Sequence, residues 1–315
     1  ESVGDTMDLH VTIPTAHGGL TLKNPIMPAA STFGNIIEYA KVFDLNKLGA
    51  LMGNSMYLTD GTPTGNQKFH RAEDGFMSAF GRNAISIRRF VEEILPELPW
   101  ETTPVILDLK EAGMEKMEEM VAYVADTGKV AGVEINLNCP YAPGVPEYWQ
   151  DPEQLTEFIH RVRKAAGTMM VGAKAPTGNY NVAQVTKTLH QAGADSFTCY
   201  NGQMGCAVDI YTRKFCCGGA SGTSATMGYG YRAYGLSLTR EATVAAPIPI
   251  IGSGGIINAR TVIEQIMVGA YAVQVGSANF MRPDFMPRLV DELAELMEEL
   301  GVHSLDEIRG TATPN

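Results

Sequence analysis

Gly132-Val133-Glu134-Ile135-Asn136-Leu137-Asn138-Cys139-Pro140-Tyr141 reads as an apolar strand, Gly132 to Asn136, that runs out among amides and a thiol. Pro140 stops the strand, so Cys139 opens a loop at the end where parallel α/β sheets bind ligands. A lone cysteine is more often a small buried hydrophobe. Here the flanking amides, and Gly-rich turns further along, favour a thiol that does chemistry.

Runs of the same kind recur along the chain: Pro25-Ile26-Met27-Pro28-Ala29, Gly49-Ala50-Leu51-Met52, Pro104-Val105-Ile106-Leu107, Met169-Met170-Val171-Gly172-Ala173, Ser196-Phe197-Thr198-Cys199, Ile248-Pro249-Ile250-Ile251 and Ala272-Val273-Gln274-Val275. With 132–136 they make eight candidate buried strands. Helical spacing fills gaps between them, at 114–125 (Met117, Met120, Val121, Val124), 152–166 (Leu155, Phe158, Ile159, Val162) and 259–268. Strand and helix alternating in this way predict a (β/α)8 TIM barrel, whose parallel strands read as continuous apolar runs because both faces are buried. One domain, 1–315, then covers the chain. Two stretches fall outside a bare barrel. Residues 8–23 read as an N-terminal β-hairpin around His17-Gly18-Gly19, and 57–85, rich in Gly, Thr, Pro and Asn, as a long loop over the substrate pocket.

The 315 residues, 45% hydrophobic, suffice for a barrel of ~250 residues plus extras. A net charge of −11 with no basic run argues against nucleic acid or an anionic membrane surface as partner. No apolar stretch reaches ~18 residues, and a cytoplasmic protein is expected. Five cysteines, at 139, 199, 206, 216 and 217, show no zinc-type spacing, so no metal is expected, and Cys216-Cys217 read as two unrelated thiols.

Three glycine constellations lie late in the chain: Gly218-Gly219-Ala220-Ser221-Gly222, Gly252-Ser253-Gly254-Gly255 after the seventh run, and Gly276-Ser277 after the eighth. In barrels the loops after strands seven and eight bind phosphate, because glycines let backbone N–H groups approach the anion. A phosphate-bearing ligand follows. Lys174 ends the fifth run; a lysine there is costly to bury unless it meets negative charge or acceptor oxygens, which points to a cofactor partner. Asn201, ending the sixth run, and Asn136 point at the same mouth.

Taken together, 132–144, 171–176, Asn201 with Asp209, the 218–222 turn, 250–256 and 273–278 resemble the dihydroorotate dehydrogenase family of FMN-dependent barrels, in the right order from about residue 20 to 280. The resemblance is to its cytosolic branch, which uses a cysteine as base. It implies Cys139 as that base and Lys174 against the flavin ring. It also implies Ala29 and Ala30 along the isoalloxazine, and Gly222, Gly252, Gly254, Gly255, Gly276 and Ser277 around the FMN phosphate. Asn136 and Asn201, with Gly202, would hold the substrate ring and the flavin edge, and Phe80 and Gly81 would line the substrate side. The implied reaction is dihydroorotate to orotate in pyrimidine biosynthesis, by a homodimer that could use an electron-transfer partner subunit. The chemistry suits these groups. A base removes a proton from one ring carbon while a hydride leaves its neighbour for the flavin, and amides bind the carbonyls on which charge develops.

Three positions depart from the family. Asn54 stands where most members have a lysine that touches flavin and substrate, Ser78 where they have an asparagine, and Tyr141 where an asparagine follows the base by two places. Arg82 could supply a carboxylate contact instead, though an exposed, salt-bridging arginine is the more ordinary role. A neutral dihydropyrimidine, or another cyclic amide or enoate, is therefore an alternative substrate. A flavin-free phosphate-site isomerase or lyase and a non-catalytic flavin-binding subunit are the other readings. The lack of an N-terminal apolar helix pair disfavours a membrane quinone as electron acceptor.

Overall fold

Seven of the eight apolar runs fold as strands of one parallel sheet, and the eighth bridges its two ends. The computed structural model describes residues 7–61, 69–73, 75–79, 85–111, 113–137, 147–218 and 221–314. An N-terminal hairpin, β1 (Val11–Ile13) with β2 (Leu20–Leu22), precedes the first barrel strand, β3 (Ile26–Pro28). Within 57–85 lie β4 (Phe69–Ala72) and β5 (Gly75–Ser78). The barrel continues with β6 (Ile106–Leu109), β7 (Gly132–Asn136), β8 (Met170–Lys174) and β9 (Ser196–Thr198). An excursion carries β10 (Gln203–Gly205), β11 (Val208–Asp209), β12 (Lys214–Phe215) and β13 (Ser224–Met227); β14 (Ile250–Ser253) and β15 (Ala270–Val275) then complete the barrel. The helices are α1 (Ile87–Arg89), α2 (Met114–Ala125), α3 (Pro152–Ala166), α4 (Val182–Gln191), α5 (Arg232–Ala245), α6 (Ala259–Met267) and α7 (Phe285–Leu300). No described helix is long and apolar enough to cross a membrane.

The parallel order is β3-β15-β14-β9-β8-β7-β6. Residues 49–52 sit between its two edges. Gly49 N–H donates to Ile26 O (2.9 Å) on one side, while Leu51 N–H donates to Pro104 O (2.8 Å) and Leu51 O accepts from Ile106 N–H (2.9 Å) on the other. These bonds close the (β/α)8 ring where the ladder is too broken to count as a strand.

Helix boundaries follow local chemistry. Asp151 caps α3 by accepting from Glu153 N–H (2.9 Å) and Gln154 N–H (3.4 Å), with Pro152 in the first turn, where its missing N–H costs nothing. Its buried face, Leu155, Phe158, Ile159, Val162 and Ala166, has helical spacing and packs on the barrel. Asn258 and Thr261 form a capping box that starts α6.

Within 57–85, the described residues 69–72 and 75–78 form strands where composition suggests a loop. β5 pairs antiparallel with β4 and with β13, in a four-stranded sheet of order β10-β13-β5-β4. Each strand is four residues or fewer, and although β4 and β5 form a local hairpin, the central pairing of β5 with β13 joins segments more than a hundred residues apart, so local alternation does not announce the sheet. An aromatic cluster anchors it. Phe69 and Phe76 lie 5.3 Å apart by ring centroid and both meet Phe280, just beyond β15, at 5.0 and 5.9 Å.

At the opposite end, the buried Asp195 ties three elements together. Its carboxylate accepts from Ala16 N–H in the hairpin turn (2.7 Å) and from Val171 N–H in β8 (2.8 Å), and it pairs with Arg163 of α3 (2.6 Å). Asp195→Ala would leave Arg163, whose side chain is 17% exposed, without its counter-charge and two N–H groups without an acceptor. The expected loss is about 3–5 kcal/mol of stability, read as a lowered urea midpoint. A midpoint unchanged from the parent would show that water replaces the carboxylate.

Candidate active site

One cavity opens at the C-terminal mouth of the barrel, under the β10-β13-β5-β4 sheet. Its floor is polar. Inside the barrel Glu134 (β7), Lys174 (β8), Thr198 (β9) and Gln274 (β15) are each no more than 5% exposed. Lys174 Nζ donates to Gln274 Oε1 (2.7 Å) and stands 3.7 Å from Glu134 Oε1. Glu134 Oε2 accepts from Thr198 Oγ1 (2.5 Å) and Gln274 Nε2 (2.6 Å). Burial pushes the Glu134 carboxyl above its ordinary range, the nearby Lys174 ammonium pulls it back, and buried Asp108 adds to the upward push. These groups face one another because alternate residues of each strand point into the barrel.

Amides stand at the strand ends. Asn136 ends β7 and donates through Nδ2 to Asp108, at 3.4 Å to Oδ1 and 3.2 Å to Oδ2. Asn201 follows β9; its Nδ2 donates to Ala175 O (2.9 Å) and its Oδ1 accepts from Gly202 N–H (2.9 Å). Both line the cavity, as do Lys174 and Gly202. From the opposite side come Ala29 and Ala30 after β3, Asn54, and Ser78 of β5. The Asn54 amide donates to Asn35 Oδ1 (3.2 Å), a short polar contact where the resemblance would have a long cation.

The glycine turns form the far end. Gly254, Gly255, Gly276 and Ser277 line the cavity, and their N–H groups donate to no other group of the described chain. Four backbone N–H groups left without an acceptor in the described chain, in turns that line the cavity after the last two barrel strands, suit an anion cradle. Two of its glycines are required: Gly255 has φ +70°, and a Cβ there would lie 2.5 Å from Arg232 Cα, while a Cβ on Gly254 (φ +95°) would press on the Tyr200 ring at 3.1 Å. The Tyr200 hydroxyl is buried with no partner in the described chain, and burial pushes its pKa well up, so it is a proton-bearing donor beside this turn.

Two of the glycines named from sequence lie elsewhere. Gly222 packs against the Phe215 ring, and Gly252 lies within β14, where a Cβ would meet the Gln265 side chain. The glycine that reaches the cavity from this part of the chain is Gly228, which follows β13 ahead of α5. The five-residue motif at 218–222 drew attention by its density, whereas position, directly before a helix, was the better signal. Phe80, Gly81, Arg82, Cys139 and Tyr141 lie outside the described residues. Cys199 is buried, with its thiol pushed up to about 12, and is no thiolate at neutral pH. Cys216 and Cys217 are not joined in a disulfide. Lys110, Tyr57, Tyr200 and Met227 also line the cavity and were not singled out in the sequence.

These residues fit FMN: a backbone cradle for a phosphate, a buried ammonium and amides for a polar ring edge, and small alanines against a flat face. The dihydroorotate dehydrogenase family model matches residues 12–297. The dihydroorotate dehydrogenase B (NAD(+)) catalytic subunit of Solidesulfovibrio magneticus is 32% identical over 311 residues, spanning 97% of this chain and 98% of that protein. Its counterpart in Listeria monocytogenes is 33% identical, spanning 92% and 95%. A crystal structure of DHODH from Eimeria tenella, in complex with ferulenol, superposes with a TM-score of 0.79 over 99% of this chain and 90% of that one, at 16% identity, a likeness of fold. The chain belongs to the dihydroorotate dehydrogenase family of FMN-dependent oxidoreductases acting on a CH–CH bond.

Proposed function

We propose that this chain is a catalytic subunit that oxidises dihydroorotate to orotate and passes the electrons, through a partner subunit, to NAD. The observation that carries the reading is one cavity holding the N–H cradle of Gly254, Gly255, Gly276 and Ser277 together with Lys174, Asn136 and Asn201. A flavin-free sugar-phosphate enzyme would use such a cradle, but family membership and the buried ammonium favour the flavin. The NAD link rests on the names of the relatives, and a homodimer is the assembly the family resemblance implies.

The roles divide along the cavity. The glycine end holds the phosphate, and Lys174, positioned by Gln274 and Glu134, presents its ammonium to the ring edge. When bound, FMN supplies the hydride acceptor. Asn136 and Asn201 donate to the substrate carbonyls and stabilise the negative charge that grows there as a ring proton leaves. Cys139 takes that proton; it lies just past the end of β7, and the proposal for it stands on the sequence.

Anaerobic mixing with dihydroorotate should bleach the flavin absorbance, whereas dihydrouracil should not. Bleaching by the neutral ring alone would give the enzyme a different substrate. Gly276 offers a direct test of the cradle, because a Cβ there meets nothing nearer than 3.8 Å. Gly276→Ala should therefore keep FMN, and Gly276→Asp, which sets a negative charge beside the phosphate, should be purified largely without it. Full FMN occupancy in the aspartate variant would place the phosphate elsewhere. Cys139→Ala should retain FMN and the fold but lose about 10²–10⁴-fold in turnover, the contribution of a positioned base, and Cys139→Ser should recover part of it at higher pH. An unchanged rate in the alanine variant would mean that another group is the base.

A further inference from the structure

We infer that Lys110 is the cation that receives the carboxylate of the ring substrate, so that it sets the preference for an acidic over a neutral dihydropyrimidine. The inference rests on the dihydroorotate reading above and names a residue that reading does not require. Lys110 directly follows β6 and lines the cavity. It lies two places beyond Asp108, whose carboxylate meets Asn136, so strand alternation turns Lys110 to the same side, at the mouth. Glu111, of opposite parity, accepts from Leu58 N–H (3.1 Å) instead.

The charges of the cavity leave Lys110 this role. Among its described lining residues there is no carboxylate, and the cations are Lys110 and Lys174. The Lys174 ammonium is already engaged by Gln274 and Glu134. Among the described residues that of Lys110 makes no ion pair and no hydrogen bond, and the residue is half-buried. A carboxylate entering this space loses water and needs a charged partner in return. Backbone bonds fix the position: Met56 N–H donates to Asp108 O (2.8 Å) and Lys110 N–H to Met56 O (2.9 Å), which holds Lys110 against the segment that carries Asn54 and Ser55 to the cavity. A positive charge missing at Asn54 is thus restored from the neighbouring strand.

The test is titration of the FMN-loaded protein with orotate and with uracil, the same ring without the carboxylate, following the flavin spectrum in the parent, Lys110→Met and Lys110→Arg. Lys110→Met should weaken orotate about 10- to 100-fold, the effect of losing one charge-assisted hydrogen bond, and leave uracil unchanged, with Lys110→Arg in between. Equal orotate affinity in parent and methionine variant would overturn the inference and pass the role to a group such as Arg82. Equal weakening of both ligands would overturn it too, as the mark of a merely structural effect. A parent that binds uracil but not orotate would instead overturn the dihydroorotate reading, and the inference with it.

Discussion

The ammonium of Lys174 is buried inside the barrel, and much of the active end is organised by what holds it there. An unpaired charge at that depth would cost several kcal/mol. Glu134, Gln274 and Thr198 offset the cost from three other strands, β7, β15 and β9, so the network ties together strands that are distant in sequence. Each partner of Glu134 also meets another polar group of the set. Such a core is weaker evidence of stability than of geometry: apolar residues would fill the space as well, but only charges and amides fix an ammonium at one height beneath the mouth.

That height divides the cavity. Beyond Lys174 toward β14 and β15 lie backbone N–H groups, which carry partial charge, cannot titrate and need no side chain. Toward β6 and β7 lie side chains with ionisable or amide heads. An elongated ligand with an anion at one end and a polar ring at the other matches this order, and only a residue at the ring end can touch a second small molecule. The cradle is fixed by backbone, so it tolerates little substitution. The ring end is built from side chains on separate strands and can be altered one residue at a time.

Most of the barrel was legible because its strands are buried on both faces, and an unbroken apolar run needs no partner to be recognised. Gly132–Asn136, Met114–Ala125 and Pro152–Ala166 have the bounds their patterns predict. The second barrel position, 49–52, reads as a strand equally well, but only some of its bonds form. The β10-β13-β5-β4 sheet was illegible for the opposite reason: its strands are short and half-buried, and its central β5-β13 pair joins distant parts of the chain that only the folded barrel brings together. In the site, positions defined by a strand end, Asn136, Lys174, Asn201 and Gly254, came together as expected. Gly222 did not, because glycine density marks a turn without saying where the turn points. Lys110 was missed since one charge after one strand carries no pattern; its meaning comes from a cavity whose described lining holds no carboxylate.

The sheet over the mouth completes the argument. Phe69, Phe76 and Phe280 fasten it beside the last barrel strand, and through Ser78, Ala225 and Met227 it forms one wall of the cavity. A wall of small and apolar groups restricts water and lowers the local dielectric, which strengthens every charge contact below it. Under such a cover one ammonium more or less changes ligand preference far more than it would on an open surface. The position of a single lysine, directly after β6 rather than after the second barrel position, can then decide what the enzyme accepts while the fold and the cradle stay the same.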